Sequence, residues 1–159
     1  MAAAPSIPRR ESKSAAASTC SSKARDFQST ADSEALTAQL QHFVHDYSFI
    51  QYAYVTDVKG HSTAIAISDP GDQKGYKAFP IGFDYSNREW FLQPMRTGKL
   101  HITNVHQSQV TGQLIITVST VITDANDEII GVLGADIQLE EIIRRAESLE
   151  AEVPNSEEE

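Results

Sequence analysis

Gln113-Leu114-Ile115-Ile116-Thr117-Val118-Ser119-Thr120-Val121-Ile122-Thr123, then Asp124-Ala125-Asn126-Asp127, then Glu128-Ile129-Ile130-Gly131-Val132-Leu133-Gly134-Ala135-Asp136-Ile137, is the stretch on which the fold turns. Two runs rich in β-branched residues flank four residues of turn composition, which spells two long strands joined by a tight turn. The second run is apolar almost throughout, and Asp136 interrupts it near its end. Gly131 and Gly134 within it indicate close packing or a bulge rather than ligand contact.

Outward from this hairpin the periods change. Leu139 to Glu150 predicts a closing helix with Ile142, Ile143 and Leu149 on its apolar side. Upstream, Leu100–Val105 is a third β-like run. Before it, Asn87-Arg88-Glu89-Trp90-Phe91-Leu92 begins a short helix that Ser86 can cap and that Pro94 and Gly98 hold to two or three turns. Asp69 to about Tyr85 reads as a loop, with Pro70, Gly71, Gly75, Pro80 and Gly82. Ile50–Thr56 and Ser62–Ile67 form a hairpin across Asp57-Val58-Lys59-Gly60. Leu36, Leu40, Phe43, Val44 and Tyr47 recur on one face of an opening helix, with Asp32 as a plausible N-cap and Glu34 in its first turn. The class expected is α+β: a central antiparallel five-stranded sheet with an N-terminal helix, a short loop helix and a C-terminal helix.

Charge divides the 159 residues into three parts. Residues 1–31 carry five cations and two acids, a net of +3, and are mostly Ala, Ser and Pro, the composition of a disordered basic tail. Residues 140–159 carry eight glutamates and two arginines, a net of −6, and 150–159 read as an acidic disordered tail. The domain expected is 32–149. A formal charge of −9 argues against a nucleic-acid partner, because phosphate contacts need clustered cations. No run approaches the roughly 18 apolar residues of a membrane span. Arg9 and Arg10 lead into no apolar segment of the kind a secretory signal needs, so the expected location is cytoplasmic.

Residues 84–139 resemble the signature half of a Cache domain, the PAS-like sensor module of bacterial chemoreceptors, sensor kinases and diguanylate cyclases. The resemblance is carried by Asp84-Tyr85-Ser86-Asn87-Arg88-Glu89-Trp90-Phe91, Ile102-Thr103-Asn104-Val105-His106, Val110-Thr111-Gly112 and Gly131-Val132-Leu133-Gly134-Ala135-Asp136-Ile137. With the upstream helix and hairpin it extends over about 33–149. It implies a PAS-like sheet and a ligand site drawn from Tyr85, Arg88, Trp90, Phe91, His106 and Asp136. In the amino-acid-binding members, Arg88 and Trp90 would hold a carboxylate and Asp136 an amine. Their chemistry agrees: arginine offers a planar fork for a carboxylate, tryptophan an apolar wall with one N–H, and aspartate an acceptor for ammonium. Two positions depart from the family's amino-acid pattern, Phe91 and His106 standing where tyrosines are expected. A histidine can supply a donor and, when charged, favour an anionic ligand.

Other roles are open to the same residues. Arg88 can pair with Asp84 or Asp136, and Trp90 can serve the core. His42 and His45 lie off the apolar stripe, on a solvated face. Asp124-Ala125-Asn126-Asp127-Glu128 lacks the glycine of a calcium loop and is a hairpin turn. No metal, cofactor or catalytic constellation is indicated; Cys20, the single cysteine, sits in the tail. The function expected is a sensor domain for a small carboxylate, amino acid or amine. The alternative is a PAS-like module that forms a homodimer through the helix 32–48 and takes no small ligand.

Overall fold

The computed structural model describes residues 33–151. Residues 1–31, Asp32, Cys20 and the acidic segment from 152 lie outside the described residues, and with them the expectations for tails and export.

The elements run α1 (Ser33–Asp46), β1 (Ile50–Thr56), β2 (Ser62–Ile67), α2 (Gln73–Ala78), α3 (Glu89–Thr97), β3 (His101–Ile102), β4 (His106–Gln107), β5 (Leu114–Thr123), β6 (Ile129–Gln138) and α4 (Leu139–Ala151). The sheet is antiparallel, in the order β2-β1-β6-β5-β3, with β4 also paired to β5. The α+β expectation holds. Among the described residues the strand count is six rather than five, because the run Leu100–Val105 breaks. Thr103 turns its hydroxyl to accept the Thr117 N–H at 3.0 Å, and pairing resumes only at His106.

Both hairpin turns follow from their sequences. Asp57 Oδ1 accepts the Lys59 and His61 N–H groups at 2.9 and 3.0 Å, and Gly60 takes φ +89°. Its left-handed backbone lets Ser86 pass so close that a Cβ would meet the Ser86 backbone at 2.8 Å. Asp124 Oδ1 likewise accepts from Asn126 and Glu128 at 2.8 and 3.0 Å.

Side chains alternate across the sheet and give it two unlike faces. One carries Ala53, Val55, Ile116, Val118, Leu133, Ala135 and Ile137, and is covered by Leu36, Leu40, Phe43 and Val44 of α1. Each such large side chain contributes about 1.5–3 kcal/mol on burial. The α1 stripe is therefore spent inside the chain. The opposite face carries Tyr52, Tyr54, Ile65, Ile67 and Val132, packed by Tyr85, Trp90 and Phe91. Asp136 lies between Ala135 and Ile137 and so faces this second, aromatic side.

Three local expectations are corrected. The segment 69–85 is not all loop: Asp72 caps the short α2 by accepting the Gly75 N–H at 2.8 Å, and its other oxygen takes the Tyr52 hydroxyl at 2.6 Å. Gly75 permits the close approach, since a Cβ there would sit 2.8 Å from the Tyr52 ring. Helix α3 starts two residues later than a Ser86 cap implies, with Arg88 at its N-cap position, and Ser86 N–H instead donates to Asp84 in a turn at 2.8 Å. It ends as expected at Gly98, φ +67°. In α4 only Ile142 reaches the core, while Ile143 and Leu149 are exposed.

Candidate functional site

Between the aromatic face of the sheet, α2, α3 and the segment 103–110 lies a cavity of about 810 Å³. Tyr85, Arg88, Trp90, His106 and Asp136 all line it. Phe91 does not: one residue beyond Trp90 on a helix points about 100° away, and its ring packs into the core beside it.

Asp136 forms the floor at 4 % exposure. Cross-strand pairing places Thr117 directly opposite on β5, and its hydroxyl donates to Oδ1 at 2.7 Å. Tyr52 is the cross-strand partner on β1, but it is Tyr54, two residues along the same face, whose hydroxyl reaches the same Oδ1 at 2.5 Å. Both side-chain donors thus converge on one oxygen, and no cation lies within ion-pair distance among the described residues. Burial raises the Asp136 carboxyl above the usual range, opposed by the Tyr54 and Thr117 hydrogen bonds and by the nearby His106. Tyr54 is pushed far up by burial and by the Asp136 charge, so it stays a neutral donor.

Rings surround this carboxylate. Trp90 lies 4.7 Å from Tyr54 and 5.1 Å from Tyr85 between centroids, and Phe79 lies 5.6 Å from Tyr54. Phe83 closes on Tyr85 at 4.8 Å. Gly134 makes this packing feasible: a Cβ there would meet Tyr54 at 2.5 Å and Trp90 at 3.2 Å. Trp90 is accordingly both core and cavity wall. The Tyr85 hydroxyl oxygen is buried and finds no hydrogen-bond partner among the described residues, and burial raises its pKa. An unpartnered buried hydroxyl is costly unless something in the cavity meets it.

Arg88 is exposed at the rim. Neither Asp84 nor Asp136 pairs with it; Asp84 is engaged by the Ser86 N–H. The His106 Nδ1–H donates to the Asn104 carbonyl oxygen at 3.0 Å. His42 and His45 are exposed on α1, as the stripe implied. Among the described residues no three His, Cys, Asp or Glu side chains converge as a metal site, and no helix is long and apolar enough to cross a membrane.

The residues missed at the sequence level are Tyr54, Lys74, Phe79, Phe83 and Thr117. Tyr54 was accessible from alternation with Tyr52 along β1, and Thr117 from alternation along β5. Lys74, Phe79 and Phe83 lay in a segment without a period.

Comparison with known proteins agrees with this architecture. Among solved structures, the ligand-binding domain of the Campylobacter jejuni chemoreceptor Tlp3, in complex with L-valine, superposes with a TM-score of 0.71 at 18% identity, covering 92% of this chain and 59% of that one. The ligand-binding domain of the Pseudomonas fluorescens chemoreceptor CtaA, in complex with L-leucine, gives 0.67 at 23% identity, covering 86% and 54%. At these identities the likeness is one of fold. A curated relative, citrate (Re)-synthase of Syntrophus aciditrophicus (strain SB), is 43% identical over 108 residues, which are 68% of this chain and 17% of that protein. The chain thus spans about a sixth of that relative's length. Residues 33–144 match the family described as methyl-accepting chemotaxis protein-like, first PDC sensor domain. The chain therefore belongs to that family of PDC, or Cache, sensor domains.

Proposed function

We propose that this sensor domain recognises an amino acid, or a small metabolite carrying an amine and a carboxylate, with the ammonium at Asp136 and the carboxylate at Arg88. The observation that carries the reading is Asp136: a carboxylate buried on the cavity floor, its two donors on one oxygen and no ion-pair partner among the described residues. A buried anion without a counter-charge is unfavourable, and a ligand ammonium meeting its second oxygen relieves that cost. Tyr54, Tyr85 and Trp90 set aromatic faces around the same point, where a cation gains further. The Tyr85 hydroxyl offers a donor or acceptor to the ligand. Arg88, unpaired at the rim, has its fork free for a carboxylate, with Trp90 as the wall beside it. His106 supplies a polar edge near Asp136.

The amino acids named with the Tlp3 and CtaA domains support this ligand class. The role proposed is binding without turnover, and the citrate (Re)-synthase likeness leaves it unaltered because it spans 17% of that protein. A homodimer through α1 would have to use the exposed Ala35, Ala38 and His42 side, since the apolar stripe is buried against the sheet.

A thermal-stability screen of the 159-residue chain against amino acids, amines and carboxylates tests the proposal. A ligand at 100 times its Kd adds ~2.7 kcal/mol. A rise in melting temperature with an amino acid, reduced to half or less in Arg88→Ala, is the expected result. No rise with any compound, beside a dimer that survives Arg88→Ala, favours the ligand-free interaction module.

A further inference from the structure

We propose that the cavity selects an acidic amino acid, one that carries a second carboxylate on its side chain. The inference rests on the amino-acid reading above and adds the side-chain class to it.

Charge is the first ground. Two basic side chains line the cavity, Arg88 from the α3 N-cap and Lys74 from α2, and neither forms an ion pair among the described residues. The acids near them hydrogen-bond elsewhere. Glu89, which also lines the cavity, meets His101 Nε2 at 2.7 Å. Asp72, whose charge Lys74 feels, does not line the cavity; one oxygen takes the Tyr52 hydroxyl and the other the Gly75 N–H. Asp136 is matched by the ligand ammonium. A neutral amino acid uses Arg88 for its α-carboxylate and gives Lys74 nothing. A second carboxylate completes the match, and complementary charge is what confers such selectivity.

The wall chemistry is the second ground. Rings cluster about the ammonium end, where Tyr54 binds Asp136 and touches Tyr85 and Trp90. The segment 103–110 instead lines the cavity chiefly with polar groups, Thr103, Asn104, Gln107, Ser108 and Gln109, with Val110 as its apolar member. An aliphatic side chain set against these groups would remove water from them without replacing its hydrogen bonds. A carboxylate accepts from hydroxyls and amides alike. Volume does not discriminate, since about 810 Å³ admits either kind of side chain.

The test is calorimetric titration of the full chain, at one fixed low ionic strength, with L-glutamate, L-aspartate, L-glutamine, L-asparagine and L-leucine. The better acid is expected to bind at least about tenfold tighter than its own amide. Lys74→Gln, an exposed substitution, should bring that acid to within about threefold of the amide, both measured on the variant; Lys74→Arg should keep the gap. An amide or leucine that binds as tightly as the acids overturns the inference and leaves the amino-acid reading standing. A gap that persists in Lys74→Gln also overturns it. If none of the five binds, the inference falls, and the wider stability screen decides the amino-acid reading.

Discussion

Replacing Asp136 by Asn separates a recognition carboxylate from a structural one. The substitution keeps the shape, and an amide oxygen can still accept the Tyr54 and Thr117 hydroxyls now bound at 2.5 and 2.7 Å. What is lost is the charge. Removing one partner of a buried charge pair costs about 2–5 kcal/mol, so the ligand Kd should rise roughly 30-fold to 4,000-fold at about 1.4 kcal/mol per decade. The unliganded protein should respond in the opposite sense. Burial raises the Asp136 carboxyl, so at neutral pH its anion weighs against folding, and Asp136→Asn should melt no lower than wild type. A ligand at 100 times its wild-type Kd should lift the wild-type melting temperature by roughly 10 °C, from ~2.7 kcal/mol. At the same concentration the variant should gain about 3 °C or less. Scanning calorimetry with and without ligand reads both quantities. A variant that loses more than about 2 kcal/mol of unliganded stability would make Asp136 a structural residue, and one that binds normally would remove it from the site; either refutes the reasoning.

Arg88→Ala should leave unliganded stability within about 0.5 kcal/mol, because the side chain is exposed and unpaired. Its loss of a charge-assisted bond, about 1.5–3 kcal/mol, should weaken binding roughly 10-fold to 150-fold by titration calorimetry. Gly134→Ala should cost about 1–3 kcal/mol in urea unfolding and weaken binding, since its Cβ drives Tyr54 and Trp90 from the sheet; an unchanged midpoint contradicts the packing described. For pH, the folded Asp136 takes up its proton above the unfolded range, so unliganded stability should rise as pH falls from neutral through that raised value. It should then drop at lower pH as Asp72 and Asp84, both held below the usual range, are protonated. Urea unfolding from pH 7 to 3 checks this, and an identical profile in Asp136→Asn would contradict it.

The four long strands and both hairpin turns were legible because alternation and turn chemistry are local. The short α2 was not. Its six residues include a glycine, and Tyr52, 20 residues upstream of Asp72, together with close packing at Gly75, holds it in place. Asp136 announced itself by breaking an apolar strand, but its Thr117 partner depended on register. Counted straight back from the Thr123–Ile129 pair, Asp136 would face Ile116; an irregularity between Ile122 and Thr123 shifts it to Thr117. That one-residue shift puts a hydroxyl, not a methyl, opposite the carboxylate. Phe91 was drawn in by its neighbour Trp90, although adjacent helical residues point in different directions. Helix α4 kept its period, but Ile143 and Leu149 on that side are exposed in the chain.

The most direct measurement is a crystal structure of the chain with the tightest-binding amino acid. The account predicts the ligand nitrogen at about 2.7–3.2 Å from Asp136 Oδ2, with its α-carboxylate on the Arg88 guanidinium. Ligand density elsewhere, or in the cavity with the nitrogen turned away from Asp136, would contradict it.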